Sequence, residues 1–384
     1  MIPSERSHLF TAAITHPGMT GKSNEDRYAI AAYRLDNEGN TPSVFAIVAD
    51  GVGGHQAGEV AAEIAVNTIS HTIAVSDGFK PQETLEYAII QAGDAIHKQS
   101  IKEESQSGMG STCVCVWVIG ERLYTGSVGD SRIYLLRNGR IRQTTIDHTW
   151  VQEALEHGII KPEQARNHPR SHIIRRYLGS KNSVIPDLRL QLSPEETDDQ
   201  AIANQGLQLL PGDILLLCSD GLSDLLEDNE LRDTLLSTEL SAALTTLVDM
   251  ANERGGHDNI TILALKVPAP DETPGIIIEP DSKPQPSLLP WMTCVVIGLL
   301  TVAILLLGAA SIWFFNRTGG TLTPTSPPDT AIPAATFTVT PTKIAQTETP
   351  IPINTPIQPT LTPWPTNPPE NQEVEPPTLT QEDS

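Results

Sequence analysis

Twenty-five consecutive residues, from Trp291 to Phe315, carry no charged side chain, and this run divides the 384-residue chain into parts that must fold separately. About 20 apolar residues in a helix span the hydrocarbon core of a bilayer, and tryptophan at both ends is typical of the two membrane interfaces. A helix buried in a soluble domain usually shows an amphipathic period, which this run lacks. The sequence therefore predicts one transmembrane helix over residues 290–316.

The segments on either side of this helix have the composition of chains without a packed core. Residues 319–384 contain 15 Pro and 16 Thr, or 31 of 66 positions, and such a chain buries too little apolar surface to offset its conformational entropy. We expect residues 317–384 to form a disordered tail, either an extended, O-glycosylated stalk or a solvated tail without a ligand. Residues 268–289 are rich in proline and are predicted to be a linker.

The positive-inside rule does not set the orientation of the predicted helix, because Lys283 is the only basic residue that closely precedes it and Arg317 is the only one that closely follows it. The first residues, MIPSERSHLFTAAI, lack the apolar core of a secretory signal. We therefore expect residues 1–267 in the cytoplasm, the tail outside the cell, and a single-pass protein of the cell membrane.

The chain is acidic, with 25 Lys and Arg against 47 Asp and Glu and a formal net charge of −22. Affinity for nucleic acid comes largely from Lys and Arg that neutralise phosphates, so nucleic acid is excluded as a partner. The four cysteines lack the spacing of metal ligands. We expect them to be buried free thiols in a reducing compartment.

Residues 1–267 have the pattern of one globular domain. Short apolar runs of strand length recur there: SVFAIVA, TCVCVWVIG, RLYTGSV, RIYLLR, DILLLCS and NITILALKV. Helical patterns lie between them, at about 57–74, 82–102, 148–157, 223–237 and 239–254. Strands dominate and helices are inserted between groups of them, which favours a mixed α and β sandwich.

Acidic residues recur at the ends of the apolar runs. Asp50 and Asp220 each follow a run and precede glycine, Asp130 lies between two runs, and Asp258 precedes the last run. Carboxylates next to a backbone carbonyl suit Mg²⁺ or Mn²⁺ better than zinc. Each Asp-Gly pair alone is also a common turn, but together they indicate a metal site.

The fragment GKS at 21–23 does not make a nucleotide site. A phosphate-binding loop needs a glycine five positions before Gly21, and that position holds His16.

Eight ordered motifs make residues 8–266 resemble the metal-dependent protein phosphatases of the 2C type. They are SNEDR (23–27), VADGVGGHQAGEVAA (48–62), GMGSTC (108–113), SVGDSRIYLLRNG (127–139), TIDHTWVQEALEHG (145–158), NHPRSHIIRRYLG (167–179), LLLCSDGLSDLL (215–226) and GGHDNITIL (255–263). The resemblance implies an α+β fold, a four-layer α-β-β-α sandwich of two antiparallel sheets flanked by helices. It also implies hydrolysis of phosphoserine and phosphothreonine in proteins.

The resemblance assigns roles around two to three Mn²⁺ or Mg²⁺ ions. The implied metal ligands are Asp26, Asp50, the Gly51 carbonyl, Asp130, Asp220 and Asp258. Glu25 and Asn259 would stand behind them, orienting ligands or metal-bound water.

The sequence departs from the family at two positions. Gly21 stands where an arginine usually binds the substrate phosphate, which leaves Lys22 as a substitute or as an exposed lysine. Val52 stands where animal members have a general-acid histidine, which leaves His55 as a candidate acid or a structural residue.

The basic segment, residues 166–176, is the main cluster of positive charge in the domain. By resemblance it belongs to a mobile flap beside the site, where Arg170 and Arg175 would receive an acidic phosphopeptide or remain solvated. The expected partners are phosphoproteins, including a Ser/Thr protein kinase that this phosphatase opposes.

Three other interpretations fit parts of the sequence. A phosphatase of the haloacid dehalogenase type would need a second aspartate at position 52, which is Val52. A membrane-tethered pseudophosphatase would bind phosphoproteins without turnover, which the glycine at position 21 suggests. In the third, the tail binds an outside ligand to which the cytoplasmic domain responds.

Overall fold

Two antiparallel β-sheets and their covering helices make up the computed structural model, which describes residues 1–36, 39–53, 57–166, 168–270 and 272. The strands are β1 Ile2–Ser4, β2 Phe10–His16, β3 Arg27–Arg34, β4 Pro42–Ala49, β5 Gly51–Val52, β6 Gly110–Ser111, β7 Cys113–Ile119, β8 Arg122–Val128, β9 Arg132–Arg137, β10 Arg140–Gln143, β11 Leu207–Gln208, β12 Ile214–Cys218 and β13 Ile260–Lys266. The helices are α1 Ala57–Val75, α2 Pro81–Lys102, α3 Trp150–Glu156, α4 Asp198–Ala203, α5 Asp220–Ser223, α6 Asp228–Ser237 and α7 Leu240–Glu253.

The strand order brings distant parts of the chain together. The first sheet has the order β1-β3-β4-β7-β8-β11, and the second has the order β10-β9-β12-β13-β2. Strands β5 and β6 form a separate short ladder, in which Gly51 pairs with Ser111. Strand β2, from the start of the domain, pairs with β13, from its end, and forms an edge of the second sheet.

The central strands contain continuous apolar runs, such as residues 44–49 of β4, because both of their faces are covered. In β4, Val44, Ala46 and Val48 belong to the core between the two sheets. Phe45 and Ile47 point the other way and pack in the core formed with α1 and α2. Since successive side chains of a strand point to opposite faces, this alternation requires a layer on each side.

The outer layers are amphipathic helices, one pair on each sheet. Ile69 of α1 and Ile89 of α2 pack against the first sheet. Leu231 of α6 and Leu247 of α7 pack against the second, in a core that includes strands β9, β12 and β13. The predicted α-β-β-α sandwich of antiparallel sheets is therefore confirmed.

The prediction of a helix over 223–237 is wrong at its start. The chain forms the short helix α5 and then breaks before α6. Glu227 and Glu230 form a reciprocal capping box at the start of α6, which satisfies backbone N–H groups that a continuous helix would have bonded internally. The other four predicted helices agree with the structure within a few residues.

Several predictions lie outside the described residues, among them the span over 290–316 and the tail over 317–384. Within the described ranges, no helix has the length and hydropathy needed to cross a membrane. Cys113, Cys115 and Cys218 are buried free thiols, as predicted.

Candidate metal centre

The first sheet carries two of the predicted acids at one of its edges. Asp26 directly precedes β3 and Asp50 directly follows β4, and the adjoining residues Arg27 and Ala49 are register partners. Because the two strands are antiparallel, the start of one lies beside the end of the other. A separation of 24 positions in sequence therefore becomes a pair of neighbouring backbone positions.

The second sheet brings further acids to the same place. Asp220 begins α5 just after β12, and Asp258 lies two residues before β13. Strands β12 and β13 pair antiparallel, so the end of β12 lies beside the start of β13. The Ser219 hydroxyl donates a hydrogen bond of 2.8 Å to Asp26 Oδ2, which links this edge to that of the first sheet. Four of the predicted acids thus gather where two pairs of strands end.

Asp130 joins them from the turn between β8 and β9. The next residue, Ser131, contacts Thr112 through their hydroxyl oxygens at 2.8 Å. Thr112 Oγ1 accepts from the Asp50 N–H at 3.0 Å, and the Thr112 N–H donates to the Asp50 carbonyl oxygen at 2.8 Å. The motif GMGST therefore fixes the backbone of Asp50 and ties it to the turn of Asp130.

Gly51 is required by a close approach of the chain to itself. A Cβ atom at position 51 would collide with the Gly58 carbonyl oxygen and lie 2.8 Å from the Glu25 carbonyl oxygen. A Cβ at position 58 would in turn lie 2.7 Å from the Gly51 carbonyl oxygen. The two glycines let the start of α1 pack directly against the backbone that follows Asp50.

Asn259 holds the loop that carries Glu25. Its Oδ1 accepts from the Glu25 N–H at 2.7 Å, and its Nδ2 donates to the carbonyl oxygens of Pro17 and Ser23 at 3.0 and 3.2 Å. One buried amide thus fixes both ends of the loop and also lies next to Asp258. The predicted role of Asn259 behind the metal ligands stays a prediction.

The electrostatics of the cluster are those of crowded carboxylates. Burial is the main cause of the raised pKa of Asp50, and the nearby carboxylates of Asp26 and Asp220 raise it further. Burial raises the pKa of Asp26 to about 7, although the Ser219 hydrogen bond acts in the opposite direction. The pKa values of Asp130 and Asp220 are also raised, first by burial and then by other acids.

Three carboxylate oxygens in this cluster have no hydrogen-bond partner among the described residues. They are Asp26 Oδ1, Asp130 Oδ1 and Asp220 Oδ1, and all three are buried. None of the five clustered aspartates forms an ion pair with a described Lys, Arg or His side chain. A buried charge without a partner is costly, so the site favours a cation from solution.

These donors fit a hard divalent ion better than a soft one. No three Asp, Glu, His or Cys side chains in the described part of the chain form a ready-made cage around one point. Mg²⁺ and similar ions retain several waters and take only one or two carboxylates, so they do not need such a cage. Carboxylate and carbonyl oxygens are the ligands that suit Mg²⁺ or Mn²⁺.

Other predicted residues lie at the margin of the cluster. Glu25 is half-buried, and burial and then Asp258 raise its pKa, while Lys22 lowers it. Lys22 is exposed, and the space that a side chain at Gly21 would enter is open. His55 lies outside the described residues.

The two arginines predicted to receive substrate are engaged within the chain. The Arg170 guanidinium lies 4.8 Å from the ring centre of Trp150, which stacks on His168 at the same distance. Arg175 Nε donates to Glu153 Oε2 at 3.1 Å. Their contacts fold the basic segment against α3, so substrate binding there remains a prediction.

Asp224 is a residue of the site that the sequence analysis missed. Its N–H donates to the Asp220 carbonyl oxygen, so both carboxylates are one helical turn apart. Both border cavities of about 260 and 350 Å³ that lie against the basic segment, and the Asp224 carboxylate pairs with His172 Nδ1 at 3.4 Å. The spacing Asp-x-x-x-Asp in SDGLSD was the available indication.

Comparison with known proteins identifies a family of phosphatases. The family described as protein phosphatase 2C matches residues 17–154. The serine/threonine phosphatase stp of Listeria welshimeri is 36% identical over 257 residues, covering 66% of this chain and 93% of that protein. The phosphatase PstP of Mycobacterium tuberculosis is 34% identical over 247 residues, covering 63% of this chain and 45% of PstP.

A solved structure shows a similar fold with metal. The catalytic domain of PstP in complex with two manganese ions has a TM-score of 0.56 and 32% identity, covering 68% of this chain and 99% of that one. The fold and the acid cluster define a phosphatase of the metal-dependent class. This chain belongs to the protein phosphatase 2C family, which confirms the predicted family and enzyme class.

Proposed function

We propose that this chain hydrolyses phosphoserine and phosphothreonine in proteins with a metal-activated water. The observation that carries the proposal is the set of three buried carboxylate oxygens of Asp26, Asp130 and Asp220 at one edge of the sandwich, which have no hydrogen-bond partner in the part of the chain that the structure describes. A fold that needed these acids only for stability would have paired them with arginine or lysine. They are arranged instead to neutralise and hold cations that arrive from solution.

Each ligand is assigned from its position in the cluster and from the family resemblance. Asp50 and the Gly51 carbonyl would hold the central pair of ions, Asp220 and Asp258 would complete it, and Asp130 with Asp220 would hold a third. When bound, two such ions lower the pKa of a bridging water and neutralise phosphoryl oxygens. The chain itself supplies no nucleophile in this scheme.

The protein groups around the ions position them and admit the ester. Thr112 and Asn259 fix the backbones of Asp50 and Glu25 by the hydrogen bonds described above. The cavity of about 350 Å³, lined by Asp220, Asp258 and residues of the basic segment, leaves room for a phosphorylated side chain. Lys22 would contribute a point charge near the phosphate, without the paired donors that an arginine offers.

Phosphate release from phosphoserine peptides, measured with Mn²⁺ and with excess chelator, tests the proposal. We expect activity only with the metal, and its loss in Asp50→Ala and Asp258→Ala variants that keep the wild-type circular dichroism spectrum. Turnover in chelator, or wild-type turnover in either variant, contradicts the metal assignment. Manganese uptake without any turnover would instead favour the pseudophosphatase, which the glycine at position 21 supports.

We further propose that the domain works at the cytoplasmic face of the cell membrane, anchored by residues 290–316, with residues 317–384 outside and a Ser/Thr kinase as its opponent. The uncharged run from Trp291 to Phe315 supports the anchor. Fractionation of cells that express the full chain or residues 1–289 tests it. We expect only the full chain in membranes, and equal distribution of the two forms contradicts the proposal.

A further inference from the structure

The buried residue His148 connects two parts of the domain that the sequence analysis treated separately. It lies between β10 and α3, distant in sequence from the acids, and its side chain is only 5% exposed. Its backbone N–H donates to the Gly129 carbonyl oxygen at 2.9 Å, and its Nδ1 accepts from the Gly129 N–H at 2.9 Å. The residue next to Gly129 is Asp130, which has one of the unpartnered carboxylate oxygens.

These contacts assign the proton of the imidazole. Because Nδ1 accepts from a backbone N–H, the ring proton is on Nε2, which donates to Asp187 Oδ2 at 3.1 Å. The Arg176 guanidinium lies 3.2 Å from Nε2 and donates to the Ile185 carbonyl oxygen. His148 therefore offers one acceptor to the turn of Asp130 and one donor to Asp187.

Asp187 is itself a fixed point. Its backbone exchanges two hydrogen bonds of 2.9 Å with Ser127 of β8, two residues before Gly129. Its two carboxylate oxygens accept hydrogen bonds from Arg189 Nε at 3.0 Å. Ser127, Gly129, His148 and Asp187 thus close a ring of hydrogen bonds around the end of β8.

The turn is confined on its other side as well. Gly129 has φ of +103°, and a Cβ there would lie 2.6 Å from Cβ of Thr112, the residue that holds the backbone of Asp50. The turn cannot move toward Thr112, and His148 prevents it from moving away. The direction of the Asp130 carboxylate therefore depends on the position of His148.

The backbone of the same residue carries the base of the basic segment. The Arg175 N–H donates to the His148 carbonyl oxygen at 2.7 Å, and the Trp150 N–H donates to the Ile173 carbonyl oxygen at 2.9 Å. A β-bridge joins Thr149 and Ile174 between these two bonds. A displacement of residues 173–175 is therefore transmitted to residue 148 through hydrogen bonds that cannot stretch far.

We propose that His148 is a positioning residue that couples the base of the basic segment to the turn that presents Asp130 to the metal. This inference rests on the proposed function, since it concerns how substrate contact at the basic segment affects the metal centre. It assigns a role to a residue that touches neither metal nor ester. Partners of this kind, which orient ligands from behind, often affect metal affinity strongly.

Two substitutions separate the two hydrogen bonds of the ring. Asn in His148→Asn places an oxygen near the position of Nδ1 and keeps the acceptor for Gly129, but it loses the donor to Asp187. Gln in His148→Gln places an amide N–H near the position of Nε2 and keeps the donor, but it loses the acceptor. The pair has the same chemistry and differs in which bond survives.

Calorimetric titration with Mn²⁺ measures the effect without relying on catalysis. We expect His148→Gln to weaken the weakest Mn²⁺ site by about 10-fold or more, and His148→Asn to weaken it less than about threefold, as for other partners behind metal ligands. Equal affinities for the two variants, or equal losses, overturn the coupling. A purely structural role would lower both melting temperatures equally and leave Mn²⁺ affinity unchanged.

Hydrogen exchange tests the link to the basic segment. In the wild type, Mn²⁺ should slow exchange at the Arg175 amide, and in His148→Gln this slowing should be lost. Slowing of the same size in both proteins overturns the proposal. Should His148→Gln fail to fold, Mg²⁺ titration of the wild type by NMR must shift the His148 ring and the Arg175 amide with one apparent affinity, and an unshifted Arg175 overturns it. A wild type that binds no Mn²⁺ overturns the proposed function and this inference together.

Discussion

The domain contains two groups of buried carboxylates that differ in how their charge is balanced. One group is paired with arginines inside the fold: Asp147 with Arg132, Asp187 with Arg189, and Asp213 with Arg137. The other group gathers at the edge of the sandwich, where no arginine or lysine among the described residues forms an ion pair with it: Asp26, Asp50, Asp130 and Asp220. Both groups have the same chemistry and similar burial, so the difference lies in the neighbours.

The pKa values of Asp187 and Asp50 illustrate this difference. Burial acts to raise the pKa of Asp187, but the bonds from His148 and Arg189 outweigh it and hold that pKa well below its usual range. For Asp50, burial and the carboxylates around it all act to raise the pKa. The charge of the paired acids is balanced once the chain folds, whereas the charge of the unpaired acids is balanced only when a cation binds.

The largest expected effect is on catalysis. Asp50→Asn removes a charge that would hold the central ions, and we expect kcat/KM to fall by at least about 10³-fold, since metal ions supply several kcal/mol of transition-state stabilisation. Asp213→Asn is the matched control. It also removes a buried carboxylate, but Asp213 precedes β12 and Asp220 follows it, so the two lie at opposite ends of this strand. If kcat/KM of the folded Asp213→Asn protein falls by a similar factor, the two groups of carboxylates do not differ in their contribution to catalysis.

The sequence predicted this cluster better than it predicted its supports. Asp50 and Asp220 are visible in the sequence as aspartates that follow apolar runs, whereas Asp26 is indicated only by the family resemblance. The pairing of β3 with β4 then places Asp26 beside Asp50. The partners of the backbone are not visible in this way. Thr112 and His148 lie in the motifs GMGSTC and TIDHTWVQEALEHG, but their hydrogen bonds form only when the turn of Gly129 is packed between them.

Fold prediction failed where local patterns are weak. Strand β3, RYAIAAYR, lies between β4 and the three-residue edge strand β1. It is mostly half-buried, so it lacks the continuous apolar run of β4. Strand β10, RIRQ, is an edge strand paired only with β9. Both strands pair with a neighbour in sequence, β3 with β4 and β10 with β9 across Asn138 and Gly139. Their pairing is therefore local, and it is the mixture of polar and half-buried side chains that hides them from a search for apolar runs.

The paired group should be sensitive to loss of a carboxylate even without metal. Asp213 accepts from Arg137 Nε at 3.0 and 3.1 Å and from the Leu210 N–H at 2.7 Å. Asp213→Asn leaves the guanidinium without its counter-charge, and we expect the free energy of unfolding to fall by about 3 kcal/mol. Urea unfolding in chelator measures it, and no loss would show that the pair adds no stability.

The unpaired group should respond with the opposite sign. Asp130→Asn removes a carboxyl group whose pKa is raised by burial and by Asp220, so we expect the free energy of unfolding of the metal-free protein to be higher than that of the wild type at pH 7. The same urea experiment applies. A loss of stability in chelator would mean that the carboxylate has an internal partner after all.

The pH dependence of the metal-free protein follows from the same groups. The folded pKa is about 7 for Asp26 and about 6 for Asp220, above the unfolded value near 4. The folded state therefore binds more protons between pH 4 and 7, so stability falls as pH rises through this window. We expect the melting temperature in chelator to drop by about 3 °C or more from pH 5 to pH 7, and saturating Mn²⁺ to abolish the drop. A rise over this range contradicts the assignment.

The smallest effect concerns the basic segment, where positive charge is exposed and already paired. Arg175→Glu breaks the ion pair between Arg175 and Glu153, and both of these side chains are about half exposed. Exposed ion pairs of this kind stabilise a protein by roughly 0.2–1 kcal/mol. We expect KM for an acidic phosphopeptide to rise about two- to threefold, while KM for p-nitrophenyl phosphate stays constant because that ester does not reach the segment. Glu153→Gln should free Arg175 and lower the peptide KM. If both variants change the KM of both substrates equally, the segment acts on the metal centre through His148 rather than by docking the peptide.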